Sequence, residues 1–328
     1  MKRVLLLEPE SLHAEGVRAR FAAQLQQQFP DLVVETWPDG DEPSVDYPWH
    51  EVVAATCFQL TDDVADRMTG LRLLQSVTTG VEHLPVAALG ERGVAVCNAA
   101  GTAAPEIAEF VLARILGDAK RLPELAAAHR EHLWLTGYGE ALAGAELVLV
   151  GFGPIGQRIA ALASAFSMTV RVVRRTPAAV PAPGVVEEVG FADLGSLVGR
   201  ARYVVSALPE TPETTGLFDA ELLAQVADGA LIVNVGRGSL IDEPALVAEC
   251  ASGRLRAALD VVSQEPLPSH SPLWDVPGLE ISGHCSSVPT RALAAVSELF
   301  AVNLHRLLAD EALLNQVAGP SGATKESL

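Results

Sequence analysis

The sequence predicts an α/β protein built from two doubly wound parallel-sheet domains. Short runs of Val, Ile, Leu and Ala alternate with longer stretches of helical periodicity along the 328-residue chain. Most residues of these runs are apolar, as in strands covered on both faces. A glycine-rich turn, Gly151-Phe152-Gly153-Pro154-Ile155-Gly156, follows one run directly and opens a helical stretch. At roughly 100–200 residues per domain, the length suggests two domains.

In the first series, residues 4–7, 32–36, 52–56 and 71–77 read as strands, with a helical pattern over 13–29. The second series begins near residue 100 with a long helical pattern over 105–132. A strand at 146–150, a helix at 155–166 and a strand at 169–173 follow. Strands at 203–207 and 231–235 flank a helix at 219–226. A helix over 244–252 stops at Gly253, which suits a C-cap. Strands at 257–262 and 279–281 precede a helix over 290–308, whose Leu293, Val296, Phe300, Leu304 and Leu307 lie on one stripe.

Composition removes several function classes. Asp and Glu number 41 against 23 Lys and Arg, a formal charge of −18. Such a surface repels phosphate backbones and anionic lipid, so neither nucleic acid nor membrane is an expected partner. The uncharged stretches fall well short of the roughly 20 residues that span a bilayer. The run at 4–7 is shorter than the roughly 7–15 apolar residues of an export signal. Cys57, Cys97, Cys250 and Cys285 lie far apart with no C-x-x-C spacing, which points to a reducing cytoplasm rather than a disulfide framework. His129 and His132 share a helical face but have no third ligand motif nearby, so no metal is expected.

The glycine turn has the strand-before, helix-after context of a Rossmann dinucleotide site. Gly151 permits the tight turn, Gly153 lets backbone approach a pyrophosphate, and Gly156 lets the helix pack on its strand. Pro154 and Ile155 open the helix whose free N–H groups face the anion. The next strand ends Arg174-Arg175-Thr176, where an NAD site would place Asp or Glu for the ribose 2′-hydroxyl. Two arginines suit a 2′-phosphate in charge and geometry, so NADP is expected over NAD. The alternative is a solvated loop whose arginines merely offset acidic neighbours.

Three further motifs follow strand runs. Asn234-Val235-Gly236-Arg237-Gly238 sets Arg237 between glycines, where it can bind a carboxylate and polarise a ketone oxygen. Leu259-Asp260-Val261-Val262-Ser263-Gln264-Glu265-Pro266 places Glu265 before a stiff proline. Gly283-His284-Cys285-Ser286-Ser287 follows the run at 279–281. Singly, an Arg, a Glu and a loop His are more often structural than catalytic.

In this order the motifs resemble those of the D-isomer-specific 2-hydroxyacid dehydrogenases, over essentially the whole chain. The resemblance implies a catalytic set of Arg237, Glu265 and His284, with Arg237 and His284 also meeting the substrate. It implies that Thr79, Gly80 and Val81, within Leu74-Gln75-Ser76-Val77-Thr78-Thr79-Gly80-Val81-Glu82, bind the substrate carboxylate through backbone N–H groups. The loop Leu208-Pro209-Glu210-Thr211-Pro212-Glu213-Thr214 would lie beside the nicotinamide, with Leu208, Pro209, Thr214, Val235, Gly236, Asp260 and Ser286 also in the cofactor site. Departures are Gly283 before the histidine, Ser286-Ser287 after it, Glu210 near the active site, and Thr79-Gly80-Val81-Glu82-His83 in the substrate loop.

The family pattern implies a continuous Rossmann dinucleotide-binding domain over 100–287. A discontinuous flavodoxin-like substrate domain would comprise 1–99 and 288–328, the chain crossing between domains near 99–101 and 287–289. It further implies a homodimer. The expected activity is reversible reduction of a 2-keto acid to the D-2-hydroxy acid with NADPH or NADH, glyoxylate and hydroxypyruvate being favoured. With nothing after Leu328 to form a regulatory domain, a long phosphoglycerate dehydrogenase is not expected. The alternative from another class is an NAD(P)-sensing interaction protein of the same fold without significant turnover.

Overall fold

A computed structural model describes residues 2–8, 16–37, 46–287 and 289–320, with side chains omitted at 289 and 290. The chain divides into two compact units, Met1–Ala103 with Val288–Leu328, and Ala104–Ser287. The start of the helix expected at 13–29, residue 288, and the stretch 321–328 of the expected substrate domain lie outside the described residues.

The first unit holds β1 (Arg3–Leu6), α1 (Val17–Gln28), β2 (Val33–Thr36), β3 (Val52–Cys57), α2 (Asp62–Arg67), β4 (Leu73–Ser76), α3 (Val86–Glu91) and β5 (Ala95–Cys97). It also holds α10 (Pro289–Leu308) and β13 (Gln316–Ala318) from the far end of the chain. The strand order is β13-β5-β4-β3-β1-β2, doubly wound and parallel except for β13, which runs antiparallel to β5. Asn303 of α10 ties this end in: its amide donates to Gln75 Oε1 at 3.0 Å and its oxygen accepts from Leu314 N at 2.8 Å.

The second unit contains α4 (Ala104–Ala119), α5 (Leu122–Arg130), β6 (Glu146–Val150), α6 (Pro154–Ala165), β7 (Thr169–Val173) and β8 (Val185–Val189). It continues through α7 (Leu194–Val198), β9 (Tyr203–Ser206), α8 (Ala220–Gln225), β10 (Leu231–Asn234), α9 (Glu243–Ala251), β11 (Arg256–Leu259) and β12 (Leu279–Ile281). Seven parallel strands run in the order β12-β11-β10-β9-β6-β7-β8. Their order reverses at β6, where open α/β sheets bind ligands beyond the strand ends. Alternation explains the unbroken apolar runs. Val148, Val150, Val204, Ile232 and Leu259 fill one face of the sheet; Leu147, Leu149, Val205, Val233 and Ala258 fill the other.

The single helix expected over 105–132 is two. The break falls at Arg121, which adopts the left-handed region (φ 55°), and Pro123 occupies the first turn of α5. A proline there has no N–H to continue α4 but suits the start of a new helix.

Candidate active site

Register places the carboxyl ends of four central strands side by side: Val150 pairs with Ser206, Ser206 with Asn234, and Asn234 with Leu259. The residues that follow, Gly151, Ala207, Val235 and Asp260, therefore begin four adjacent loops. Close backbone approach joins them. A Cβ on Gly236 would lie 2.5 Å from the Leu208 carbonyl oxygen, and one on Gly238 would overlap the Val262 carbonyl. Only glycine at these positions lets the Arg237 loop lie against both neighbours.

Asn234 fixes the Arg237 loop. Fully buried, it accepts from Gly236 N at 3.1 Å and donates from Nδ2 to Arg237 O at 2.8 Å. Arg237 itself is half-buried, and its Nη1 donates to Gly236 O at 2.8 Å. On the adjoining loop, Glu265 precedes a cis peptide to Pro266, and its Oε1 accepts from Val262 N at 3.1 Å. Its Oε2 lies 2.8 Å from His284 Nδ1, while the imidazole remains 53% exposed. The outer ring nitrogen is thus left to meet a ligand, with a carboxylate orienting the ring from behind. Among the described residues, no three His, Cys, Asp or Glu side chains could hold a metal.

The His284 loop is held by Asp260. This buried carboxylate accepts from Ser282 Oγ at 2.8 Å, Cys285 N at 3.0 Å and Ser286 N at 3.2 Å. The Asp260 carbonyl accepts from His284 N at 2.8 Å. His284 is left-handed (φ 51°), a conformation costly for a residue with a Cβ and maintained here by these bonds. Gly283 and Ser286, two departures from the family pattern, are accommodated without displacing the histidine from Glu265.

The residues expected to bind the dinucleotide lie in the turn after β6 and in the neighbouring loops. Gly151 has φ 104°, and a Cβ on Gly156 would overlap the Gly151 carbonyl, so the turn is tight and α6 packs close. Nothing lies within 4 Å of a Cβ built on Gly153. The N-terminus of α6, where Pro154 and Ile155 stand, has no side-chain cap and no acidic residue in its first turn. An uncapped N-terminus facing open space is a ready anion site. Leu208 and Val235 are buried, and Thr214 shapes its loop by donating to Pro209 O at 2.8 Å and accepting from Thr211 N at 2.8 Å. After β7, Arg174 lies over the Phe152 ring, its Cζ 5.7 Å from the centroid, and Arg175 and Thr176 are exposed. Glu213 is held below the usual carboxylate range, first by its hydrogen bond with Thr211 and more weakly by the Arg175 charge.

Thr79, Gly80 and Val81 belong to the first unit, in the loop after β4. Thr79 Oγ1 donates to Ala99 O at 3.3 Å, and Asn98 Nδ2 donates to Thr79 O at 2.8 Å. The loop's three backbone N–H groups donate to no other atom among the described residues. His83, beside this loop, is tied through Nε2 to Phe58 O at 2.7 Å. Sequence reasoning quoted Asn234 without a role and passed over Ser282 and Glu188. The amide in N-x-G-R-G was a usable signal for Asn234; the other two become legible only when their loops are folded.

A sequence profile described as the NAD binding domain of D-isomer specific 2-hydroxyacid dehydrogenase matches residues 112–286. The D-3-phosphoglycerate dehydrogenase of Mycobacterium tuberculosis is 33% identical over 305 residues, 91% of this chain and 57% of that protein. With 49% of the Mycobacterium leprae enzyme of the same name covered, the chain spans about half the length of these curated relatives. Glyoxylate/hydroxypyruvate reductase B of Citrobacter koseri is 32% identical over 228 residues, 68% of this chain and 70% of that protein. A D-isomer specific 2-hydroxyacid dehydrogenase from Xanthobacter autotrophicus, solved with NADPH and MES, superposes with a TM-score of 0.80 at 30% identity, covering 97% of this chain and 98% of that one. The glycine turn, the two strand orders and these matches agree: the chain belongs to the D-isomer specific 2-hydroxyacid dehydrogenase family, and its second unit carries that family's NAD(P)-binding domain.

Proposed function

We propose that this protein reversibly reduces a small 2-keto acid to the D-2-hydroxy acid, with glyoxylate or hydroxypyruvate as substrate and NADPH preferred. The observation that carries the reading is the 2.8 Å contact between His284 and Glu265 on exposed loops at the ligand-binding end of a dinucleotide sheet. Its substrate class follows the reductases among the relatives.

Gly151, Gly153 and Gly156 with the α6 N-terminus would hold the pyrophosphate, and Arg174, Arg175 and Thr176 the ribose end. When bound, the nicotinamide cofactor supplies or accepts the hydride. His284 donates a proton to the ketone oxygen and takes it back from the hydroxyl in the reverse direction. Glu265 orients the ring and gives the imidazolium an ion-pair partner. Arg237 stabilises negative charge on the oxygen and binds the carboxylate, as fixed donors do best where charge develops.

The NADP preference rests on the two arginines at the ribose end and on the relative solved with NADPH. A homodimer is supported by an arm after α5 on which Leu133, Trp134, Leu135 and Tyr138 are exposed, Trp134 by 92% and Tyr138 by 95%. Apolar side chains grouped in this way suit burial against a second copy. Unpaired cysteines, three of them buried, suit a cytoplasmic setting.

Nicotinamide absorbance tests the reading. NADPH and NADH are each offered with glyoxylate, hydroxypyruvate, pyruvate, phenylpyruvate and branched 2-keto acids, and NADP and NAD with D-3-phosphoglycerate. Rapid oxidation of NADPH by glyoxylate or hydroxypyruvate is expected. Preference for NADH would remove the arginine argument. Tight cofactor binding without turnover on any pair would favour the sensing protein.

A further inference from the structure

We propose that Glu188 is the positioning residue of the ribose 2′-phosphate site, holding Arg174 and the 178–182 loop in place without touching the cofactor. The inference deepens the NADP reading above and rests on it. Glu188 stands on β8, the edge strand of the sheet, where a carboxylate would ordinarily turn to water. Its side chain is instead 1% exposed. Oε2 accepts from Ala178 N at 3.1 Å and pairs with Arg174 Nη1 at 3.4 Å; Oε1 accepts from Ala182 N at 3.0 Å. A buried carboxylate is tolerated only when its oxygens are answered in this way.

The three contacts meet on the segment that follows β7. Between Arg174 and β8 the chain runs through Pro177, Pro181 and Pro183, which have no N–H to give, and Glu188 collects two of the donors that remain. It thereby fixes a loop with little hydrogen bonding of its own. Arg174 is held between Glu188 and the face of Phe152, inside the glycine turn, with 37% of its side chain exposed. A guanidinium has five N–H donors and Glu188 engages Nη1 alone, so the rest can turn to a phosphate. Glu188 cannot itself be the carboxylate that takes a ribose hydroxyl in NAD sites, because it is buried and both oxygens are engaged.

The test is calorimetric titration of the full chain with 2′,5′-ADP and with ADP, which lacks the 2′-phosphate. Wild type is expected to bind 2′,5′-ADP more tightly; if it does not, the NADP reading fails and the inference with it. Given that preference, E188Q is expected to lose about 10-fold in affinity for 2′,5′-ADP, the scale of one charge-assisted hydrogen bond. ADP binding should change less than about 2-fold, because the glycine turn is untouched. E188Q added to R174Q should cost nothing further in 2′,5′-ADP affinity beyond the effect on the loop measured with ADP. Equal weakening of both ligands would make Glu188 a structural residue only. Unchanged selectivity, or tighter 2′,5′-ADP binding, would overturn the inference while leaving the NADP reading intact. Should E188Q not fold, E188D, with the charge kept and the reach shortened, carries the same test.

Discussion

Two buried carboxylates, near opposite flanks of the seven-stranded sheet, each hold a loop that follows a strand, but they divide the work differently. At the reactive flank Asp260 binds two backbone N–H groups and a hydroxyl, all neutral, and the nearby imidazole of His284 has a carboxylate of its own in Glu265. At the ribose flank Glu188 binds two N–H groups and the cation Arg174 together. The difference follows the chemistry. In the proposed reaction the imidazole changes charge during each turnover, and a loop held through a separate carboxylate does not loosen when it does. A guanidinium keeps its charge, so one carboxylate can serve both the loop and the cation.

The largest expected effect breaks the comparison at the reactive flank. His284→Asn, chosen because asparagine tolerates the left-handed backbone, should lower turnover by about 10²–10⁴-fold. NADPH affinity, read by fluorescence titration, should stay near wild type. Turnover within 10-fold of wild type would remove the imidazole from the proton transfer. Next, Asp260→Asn leaves a buried N–H without its acceptor. It should lower stability in urea unfolding by about 1–3 kcal/mol and lower turnover as well. Loss of stability with full turnover would show that the loop's geometry does not matter to the chemistry.

Glu265→Gln retains an acceptor for the ring but loses the charge. A fall of about 10-fold in kcat with KM nearly constant is expected, the difference between a charge-assisted and a neutral bond. The smallest effect concerns reactivity alone. Burial pushes the thiols of Cys57, Cys97 and Cys250 upward, that of Cys97 to about 12 and that of Cys250 to about 11, while Cys285 is exposed beside His284. Iodoacetamide on the folded protein at mildly alkaline pH should therefore add one group, found on Cys285 by peptide mass spectrometry. Label on any of the other three would mean that the sheets open more readily than their packing implies.

The strands at 146–150 and 169–173 were legible from their Leu and Val runs and coincide with β6 and β7, and 279–281 coincides with β12 although the exposed Glu280 interrupts it. The strand expected over 257–262 ends at Leu259, although Asp260 N still donates to Asn234 O at 3.0 Å. Some elements near the edges were not legible. Val185–Val189 carries two glutamates, and one is buried only because the preceding loop folds over it. Ala95–Cys97 and Gln316–Ala318 are too short to show a period. At the site, Arg237, Glu265 and His284 were singled out by the resemblance of their motifs to a family, since each taken alone has a structural reading. The bonds that Asp260 and Glu188 make depend on loops that return from other strands, and no local pattern records them.

Antiparallel β13, joined to β5 and secured through Asn303 and Gln75, also bears on the order of events at the ribosome. The second unit draws all its strands from one continuous stretch and is complete in composition once residue 287 has emerged. The first unit, though begun earlier, lacks a helix and an edge strand until residues 289–318 follow. Synthesis thus delivers the later unit whole first, and nascent β5 waits with an unpaired edge through the translation of the whole second unit.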